Sequence, residues 1–352
     1  MNRLDEIRAR IVPVDRAAAA EVQRRLDDKT KPRRSLGQLE DLASRIAAIR
    51  GTAELEVPRA AVVVMGADHG VAEDGVSAYP QEVTRQMLLN FARGGAAINV
   101  LARHAGARVV VVDMGVREPV PATPEIRVRR IGPGTANFTR GPAMTRAQAT
   151  AALEVGIGIA GELADAGLTV IATGDMGIGN TTAASALTAA LTRATVEVVT
   201  GRGTGIDDEG WQRKVEAIRR ALTVNRPDPA DAVDVLSKVG GFEIAGVAGV
   251  ILGGAARRIP VVLDGFITGA AALVAVRLVP HVSDYLIASH RSVEAGHRVV
   301  LDALGVRPLL DLDLRLGEGS GAALALHVIA AAVHILREMA TFAAAGVSDA
   351  GA

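Results

Sequence analysis

The sequence predicts an α/β fold: a doubly wound, mostly parallel sheet with helices on both faces, plus a small helical domain. Three observations carry that expectation. The candidate strands from Ala60 onward are short continuous apolar runs rather than alternating ones, as strands buried on both faces require. Alanine-rich helical segments separate them, the pattern of successive βαβ units. Glycines and polar residues follow the strands directly, where parallel sheets gather ligands at the carboxyl ends of their strands.

With 352 residues the chain exceeds the size at which one core stops growing, roughly 250 to 300, so a large domain with a smaller companion is expected. Residues 1–58 are assigned to the small domain, 59–305 to the large α/β domain, and 306–352 to a C-terminal segment carrying a glycine-flanked acid and a long helix. Up to Arg50 the chain reads as helical, with Leu36, Leu39, Leu42 and Ile46 on one face. Within it, Lys29 to Glu40 is basic and turns at Pro32 and Gly37, and its charges are expected to face water. Gly51 to Pro58 is a linker. Strands follow at 60–65, 108–114, 126–130, 168–173, 260–263 and 285–288, with helices over 94–104 and 145–166. The strand ends read GADHG (66–70), DMG (113–115), GPGTANF (132–138), GDMGIGNTT (174–182) and DG (264–265), which converge if the sheet is parallel.

Composition narrows the function classes. Lys plus Arg and Asp plus Glu number 39 each, so no net charge draws the chain to nucleic acid or to an anionic membrane. One Trp, two Tyr and five Phe leave little for base stacking. The lack of cysteine excludes disulfides, thiolate metal ligands and a cysteine nucleophile, and fits a reducing cytoplasm. The N-terminus MNRLDEIRARIVP has no apolar signal-peptide core. An apolar helix around Leu324 to Leu336 reads as buried or interfacial, too short to span a bilayer comfortably.

The chain is organised around Leu168 to Ala190, LTVIATGDMGIGNTTAASALTAA. A buried strand over 168–173 is broken by Gly174, Gly177 and Gly179, and a helix starts at Thr181. Such a loop collects backbone N–H groups at a helix N-terminus, where a phosphate prefers to sit. Gly174 to Thr181 matches G-x-x-x-x-G-K-[ST] except that Asn180 stands at the lysine, so nothing grips the outer phosphates of a triphosphate. Thr182 stands where the dinucleotide fingerprint needs its third glycine. A monophosphate cradle and a plain tight turn both remain.

Asp68 and His69 follow a strand, but no second ligand cluster lies at a metal-binding spacing. His290 with His297, and His327 with His334, are seven apart, which on one helix separates each pair by two turns. Structural histidines and no metal are expected. Glu318 is more suggestive, lying between Gly317 and Gly319 ahead of the long apolar helix. It reads either as an acid at a helix N-terminus or as a general base, with glycines that admit a substrate and apolar surroundings that raise its pKa.

In order along the chain stand GADHGVAEDGVSAYPQEVTRQM, GTANF, GDMGIGNTTAASAL, TGRGTG (200–205), GGFEIAG (240–246), VVLDGFITGAAAL (261–273), SHRSVEAGH and LRLGEGSGAAL. Together they resemble the nicotinate-nucleotide:dimethylbenzimidazole phosphoribosyltransferase family, from about Lys31 to Leu336. Members make α-ribazole 5'-phosphate, the lower-ligand nucleotide of cobalamin, from nicotinate mononucleotide and a benzimidazole. The resemblance implies that Glu318 is the catalytic base. It implies donor contacts from Gly174, Asp175, Gly177, Gly179, Asn180 and Thr181, helped by Gly203 and Lys214, and a benzimidazole pocket near Ser77, Tyr79 and Gln86. It implies a homodimer and no cofactor. Two departures stand out: Asp175 where the family often has glutamate, and Arg33-Arg34 where Pro-Gly is expected after Pro32. Transfer to another base, or a nucleotide-binding regulator without turnover, are the alternatives, and an isolated base such as Glu318 argues against the regulator.

Overall fold

Six parallel strands form the main sheet: β1 (Ala60–Ala67), β2 (Arg108–Gly115), β3 (Ile126–Val128), β4 (Val170–Met176), β5 (Val261–Leu263) and β6 (Leu286–Ala288), in the order β3-β2-β1-β4-β5-β6. The computed structural model describes residues 3–121, 123–203 and 205–348; Met1, Asn2, Ala122, Thr204 of the TGRGTG stretch and residues 349–352 lie outside them. The strand order reverses between β1 and β4, the topological switch point at which doubly wound sheets open a crevice.

Three helices, α1 (Arg3–Arg10), α2 (Arg16–Asp27) and α3 (Gln38–Arg50), precede the sheet. The β1 to β2 connection carries α4 (Val83–Arg93) and α5 (Ala97–His104), and α6 (Arg146–Asp165) leads into β4. Between β4 and β5 run α7 (Asn180–Thr192), α8 (Val196–Val199), α9 (Asp208–Asn225), α10 (Ala232–Val239) and α11 (Phe242–Ala256). Next come α12 (Phe266–Leu278), α13 (Ala295–Leu304) and α14 (Ser320–Glu338). A short parallel pair, β7 (His290–Arg291) with β8 (Leu310–Asp311), links the end of β6 to the segment before α14. Several starts carry side-chain caps: Asp15 for α2, Asp207 for α9 and Asp231 for α10 accept first-turn N–H bonds, and Thr145 with Gln148 forms a capping box on α6.

Alternation along each strand sends neighbours to opposite layers. Val63 and Met65 join the core under α6, α7, α11 and α12, while Val62 and Val64 join the core under α2, α3, α4, α5 and α14. This is why the strands read as unbroken apolar runs. The second core is continuous with the helices α2 and α3, which also meet the end of α14, where Thr30 N–H donates to Ala340 O and Phe342 N–H to Asp28 O.

All six expected strands are present, but four local expectations are corrected. β4 runs on through Gly174 and Asp175 to Met176, so Gly174 does not break the strand. Lys29 and Lys31 are buried rather than solvated: Lys29 Nζ donates to Met339 O at 2.6 Å, and Lys31 pairs with buried Glu40 at 2.8 Å. His290 lies on β7 and His297 on α13, so they do not share a helix; their rings stand 6.0 Å apart. Finally, α14 is 19 residues long, enough by length and composition to cross a membrane, yet it packs against α3, α5 and the sheet with Ala322, Ala325, Ile329 and Val333 buried.

Candidate active site

A cleft of about 660 Å³ opens at the carboxyl ends of β4, β5 and β6. Tyr79, Val83 and Met87 supply an apolar wall. Asp175 to Ile178, with Asn180 and Thr181 of α7, supply the side that leaves β4. Gly265, His290, Ser292 and Glu294 stand opposite, and Asp313 to Glu318 close the ring. A volume of this size suits a small organic ligand or two.

Glu318 is held by backbone chemistry from distant parts of the chain. Gly317, Glu318 and Gly319 all take positive φ, 82°, 63° and 92°. For glutamate that conformation costs about 1–2 kcal/mol, so the surroundings must impose it. Gly174 lets them: a Cβ there would lie 2.4 Å from Glu318 O and 2.8 Å from Gly319 N, so only glycine allows β4 to touch this loop. From below, Asp264, directly after β5, accepts N–H bonds from Gly319 at 3.2 Å, Gly321 at 2.8 Å and Ala322 at 3.0 Å. It therefore caps α14 from another part of the sequence. Glu318 as a residue is 6% exposed, and its carboxylate receives one long bond, 3.4 Å from Ile98 N–H in the first turn of α5. Burial pushes its pKa up, and the Ile98 N–H opposes this only in part.

Two further carboxylates crowd the same floor. Asp264 is pushed up to about 7 by burial, against the pull of its three N–H donors. Asp175 is pushed well above the carboxylate range by burial, then by Asp264 and Glu243 nearby, while Asn180 Nδ2 donates to it at 2.9 Å. Beneath the Gly177–Gly179 turn, buried His69 and Glu243 pair at 2.6 Å. The turn is partly self-satisfied: Ile178 N–H donates to Thr84 Oγ1 at 3.1 Å and Asn180 N–H to Gly177 O at 3.0 Å. Gly179 takes φ 92° as N-cap of α7, whose first turn faces the cleft through Asn180 and Thr181.

Behind Thr181 and Gly203 lies Lys214. Its Nζ is buried and donates to Thr181 Oγ1 at 2.7 Å, with Gly201 O at 3.4 Å. Burial lowers its pKa to about 8, although Glu294 works in the opposite direction. The cleft is thus lined by the first turn of α7, backed by the Lys214 cation, and by the buried Glu318.

Of the residues expected from the sequence, Tyr79, Asp175, Gly177, Asn180, Thr181, Gly203 and Glu318 line this cleft. Gly174, Gly179 and Lys214 stand immediately behind it. Ser77 and Gln86 are outside the lining: the Ser77 hydroxyl accepts the Tyr79 N–H at 3.3 Å, and Gln86 is exposed on α4 beside Met87. Sequence reasoning did not single out Asp264 or His290 as site residues. Position after a strand was the available signal, since Asp264 directly follows β5 and His290 comes two residues after the end of β6.

A family model described as "Phosphoribosyltransferase" matches residues 11–347. The chain is 59% identical over 348 residues to the nicotinate-nucleotide--dimethylbenzimidazole phosphoribosyltransferase of Roseiflexus sp. (strain RS-1), with 99% of each chain covered. It is 56% identical over 349 residues to the enzyme of that name from Geobacter sulfurreducens, again with 99% of each covered. Among solved structures, the nicotinate-nucleotide-dimethylbenzimidazole phosphoribosyltransferase from Thermus thermophilus superposes with a TM-score of 0.90 at 50% identity, over 95% of this chain and 99% of that one.

Proposed function

The chain belongs to the nicotinate-nucleotide:dimethylbenzimidazole phosphoribosyltransferase family, and we propose that it transfers phosphoribosyl from nicotinate mononucleotide to 5,6-dimethylbenzimidazole with Glu318 as its base. The products are α-ribazole 5'-phosphate and nicotinate. The observation that carries the role of Glu318 is its setting: a buried carboxylate of raised pKa on the cleft wall, with a single 3.4 Å hydrogen bond to give up.

The chemistry needs only one such group. Nicotinate is bound through a pyridinium nitrogen, so breaking the glycosidic bond returns the electron pair to that nitrogen and leaves a ring that needs no proton. Glycosidases carry a second carboxyl because their leaving oxygen must be protonated. Here one ring nitrogen of the benzimidazole attacks C1' while the other gives its proton to Glu318. A single displacement inverts C1' and yields the α-nucleotide. The donor has no pyrophosphate to leave, so the reaction makes no demand for a magnesium clamp. Holding both substrates in one cleft supplies much of the acceleration.

At the donor end, Lys214 and the first turn of α7 suit a monophosphate, with Gly177 packed against Ala67 O and Glu243, and Gly203 against Thr181 and Lys214. The apolar wall of Tyr79, Val83 and Met87 suits the flat methylated base, with Ser77 and Gln86 at its outer margin. The reading extends to a homodimer in the cytoplasm, a compartment in which a cysteine-free chain is at home.

The direct test is nicotinate release from the mononucleotide with and without dimethylbenzimidazole, in the presence of a chelator, together with the configuration of the product at C1'. Base-dependent release and an α-product are expected. Retention of the β-configuration would sink the single-displacement mechanism.

A further inference from the structure

His290 lines the cleft, and the reaction just described does not use it. Its hydrogen-bond network nevertheless fixes its tautomer. The Ser289 hydroxyl donates its only proton to Asp264 O at 2.9 Å, because a carbonyl can only accept. The 3.0 Å contact between Ser289 Oγ and His290 Nδ1 must then run from Nδ1–H to the hydroxyl oxygen. Nε2 is left as a bare lone pair.

The ring cannot turn to hide that atom. A Cβ at Gly321, in the first turn of α14, would fall 1.9 Å from Nδ1 and 2.7 Å from Cγ, so the Nδ1 side is packed directly on helix backbone. The opposite edge is turned to the cleft wall, where a Cβ at Gly265 would meet Cε1 at 3.6 Å and Nε2 at 3.7 Å. Among the described residues no group hydrogen bonds Nε2. The neutral ring is the stable one, since burial lowers the His290 pKa. Its neighbour His297 is also neutral: burial, then His290, lowers it to about 3, and its Nδ1 accepts the Ser292 N–H at 2.9 Å. The cleft therefore presents a rigid, uncharged acceptor.

The two substrates offer few donors to such an atom. At neutral pH the phosphate and carboxylate of nicotinate mononucleotide only accept, which leaves its ribose 2'- and 3'-hydroxyls. Dimethylbenzimidazole has one N–H, and Glu318 takes that proton. Resting on the transferase reading above, we infer that His290 Nε2 accepts a hydrogen bond from a ribose hydroxyl of the bound mononucleotide and so makes His290 a donor-binding residue that selects hydroxylated sugars. Because the Asp264 main-chain carbonyl anchors the Ser289–His290 pair and its carboxylate anchors the loop of Glu318, the sugar and the base are registered against one residue.

The test uses the full chain with nicotinate mononucleotide and its 2'-deoxy and 3'-deoxy analogues, dimethylbenzimidazole as acceptor, and the variants His290→Asn and His290→Gln. Asn keeps a donor for Ser289 and loses the Nε2 acceptor; Gln restores a polar group near the Nε2 position. In wild type, kcat/KM should fall on the order of 10- to 100-fold for one deoxy analogue, the effect of losing one buried hydrogen bond. His290→Asn should lose a similar factor on the natural donor, chiefly in KM, and should no longer distinguish that analogue from it. His290→Gln should recover part of both. Equal use of all three donors by wild type, or undiminished discrimination in His290→Asn, overturns the inference while leaving the transferase reading intact. If wild type releases no nicotinate from the natural donor, both fall together.

Discussion

Replacing Gly174 by alanine tests whether the position of the Glu318 backbone sets the rate. The added Cβ would stand 2.4 Å from Glu318 O and 2.6 Å from Glu318 C, where ordinary contact begins near 3.4 Å. Both sides of the clash are backbone, so no side chain can swing away. β4 is tied to β1 at this level, Val64 opposite Gly174, whereas the loop turns through three consecutive positive φ values. The loop is the softer partner, and Glu318 should retreat by about 1 Å, a displacement that can cost about 100-fold in rate. Overpacking should also lower stability by about 1–3 kcal/mol. Steady-state nicotinate release and thermal unfolding measured together separate the two effects. The expected result is a folded variant with kcat down about 100-fold and a nearly unchanged KM for the mononucleotide. A destabilised variant whose kcat stays within about threefold of wild type would show that contact with β4 does not position the base.

Glu318→Gln keeps the shape of the side chain and removes the base, so kcat should fall by about 10²–10⁴-fold with the Tm nearly unchanged. Since burial raises the pKa of Glu318 and only the carboxylate can accept a proton, kcat should drop with falling pH at a midpoint above the ordinary glutamate range, a limb to be read from the pH–rate profile. Lys214, lowered to about 8 by burial, loses its charge as pH rises, so the KM for the mononucleotide should climb above about pH 8, and Lys214→Met should show a raised KM already at neutral pH. Far from the cleft, Lys31→Met strands buried Glu40 without its cation and should cost about 3–5 kcal/mol by denaturant titration, with activity unaltered below the unfolding transition. Burial pushes Glu40 up, but bonds from Lys31, the Leu36 N–H and Gln23 bring it below its ordinary value; the stability from this network is therefore present at neutral pH and lost as pH falls through that lowered pKa.

What the sequence disclosed follows from the architecture. Strands buried on both faces must be apolar at successive positions, so β1 and β2 announced themselves as AAVVVM and RVVVVDM; of the strand ends, Asp175 to Ile178 and Gly265 line the cleft, whereas 66–70 and 113–115 do not. Local signals failed where the deciding partner is distant in sequence. Gly174 looked like a strand breaker, yet its reason is the approach of Glu318, and a strand accepts glycine wherever another backbone comes close. Lys29 and Lys31 looked solvated because their acceptors, Met339 O and the Glu40 carboxylate, are supplied by the C-terminal segment and by the next helix. The seven-residue spacing of His290 and His297 resembled two turns of helix, but β7 and the turn before α13 intervene. Asp264 could be seen as a strand-end acid; its three bonds into α14 could not.

A cleft floor that gathers several carboxylates raises the question of why one of them should act as base, and hydrogen bonding separates them. Glu243 is committed to His69 at 2.6 Å. Asp264 is committed to three backbone N–H groups at the start of α14, two of them on one oxygen. Asp175 has Asn180 as donor, and burial and its acidic neighbours push its pKa well above its ordinary value, which disfavours a second charge beside Glu318. Glu318 alone combines a raised pKa, a place on the cleft wall and a single long hydrogen bond. A proton moving onto Glu318 breaks no bond but the long one from Ile98, whereas Asp264 and Glu243 are held in short bonds to α14 and to His69. The backbone strain at Glu318 fits the same account: holding the residue at positive φ between two glycines keeps its carboxylate from seeking the helix N-terminus that follows it, the position Asp264 already fills.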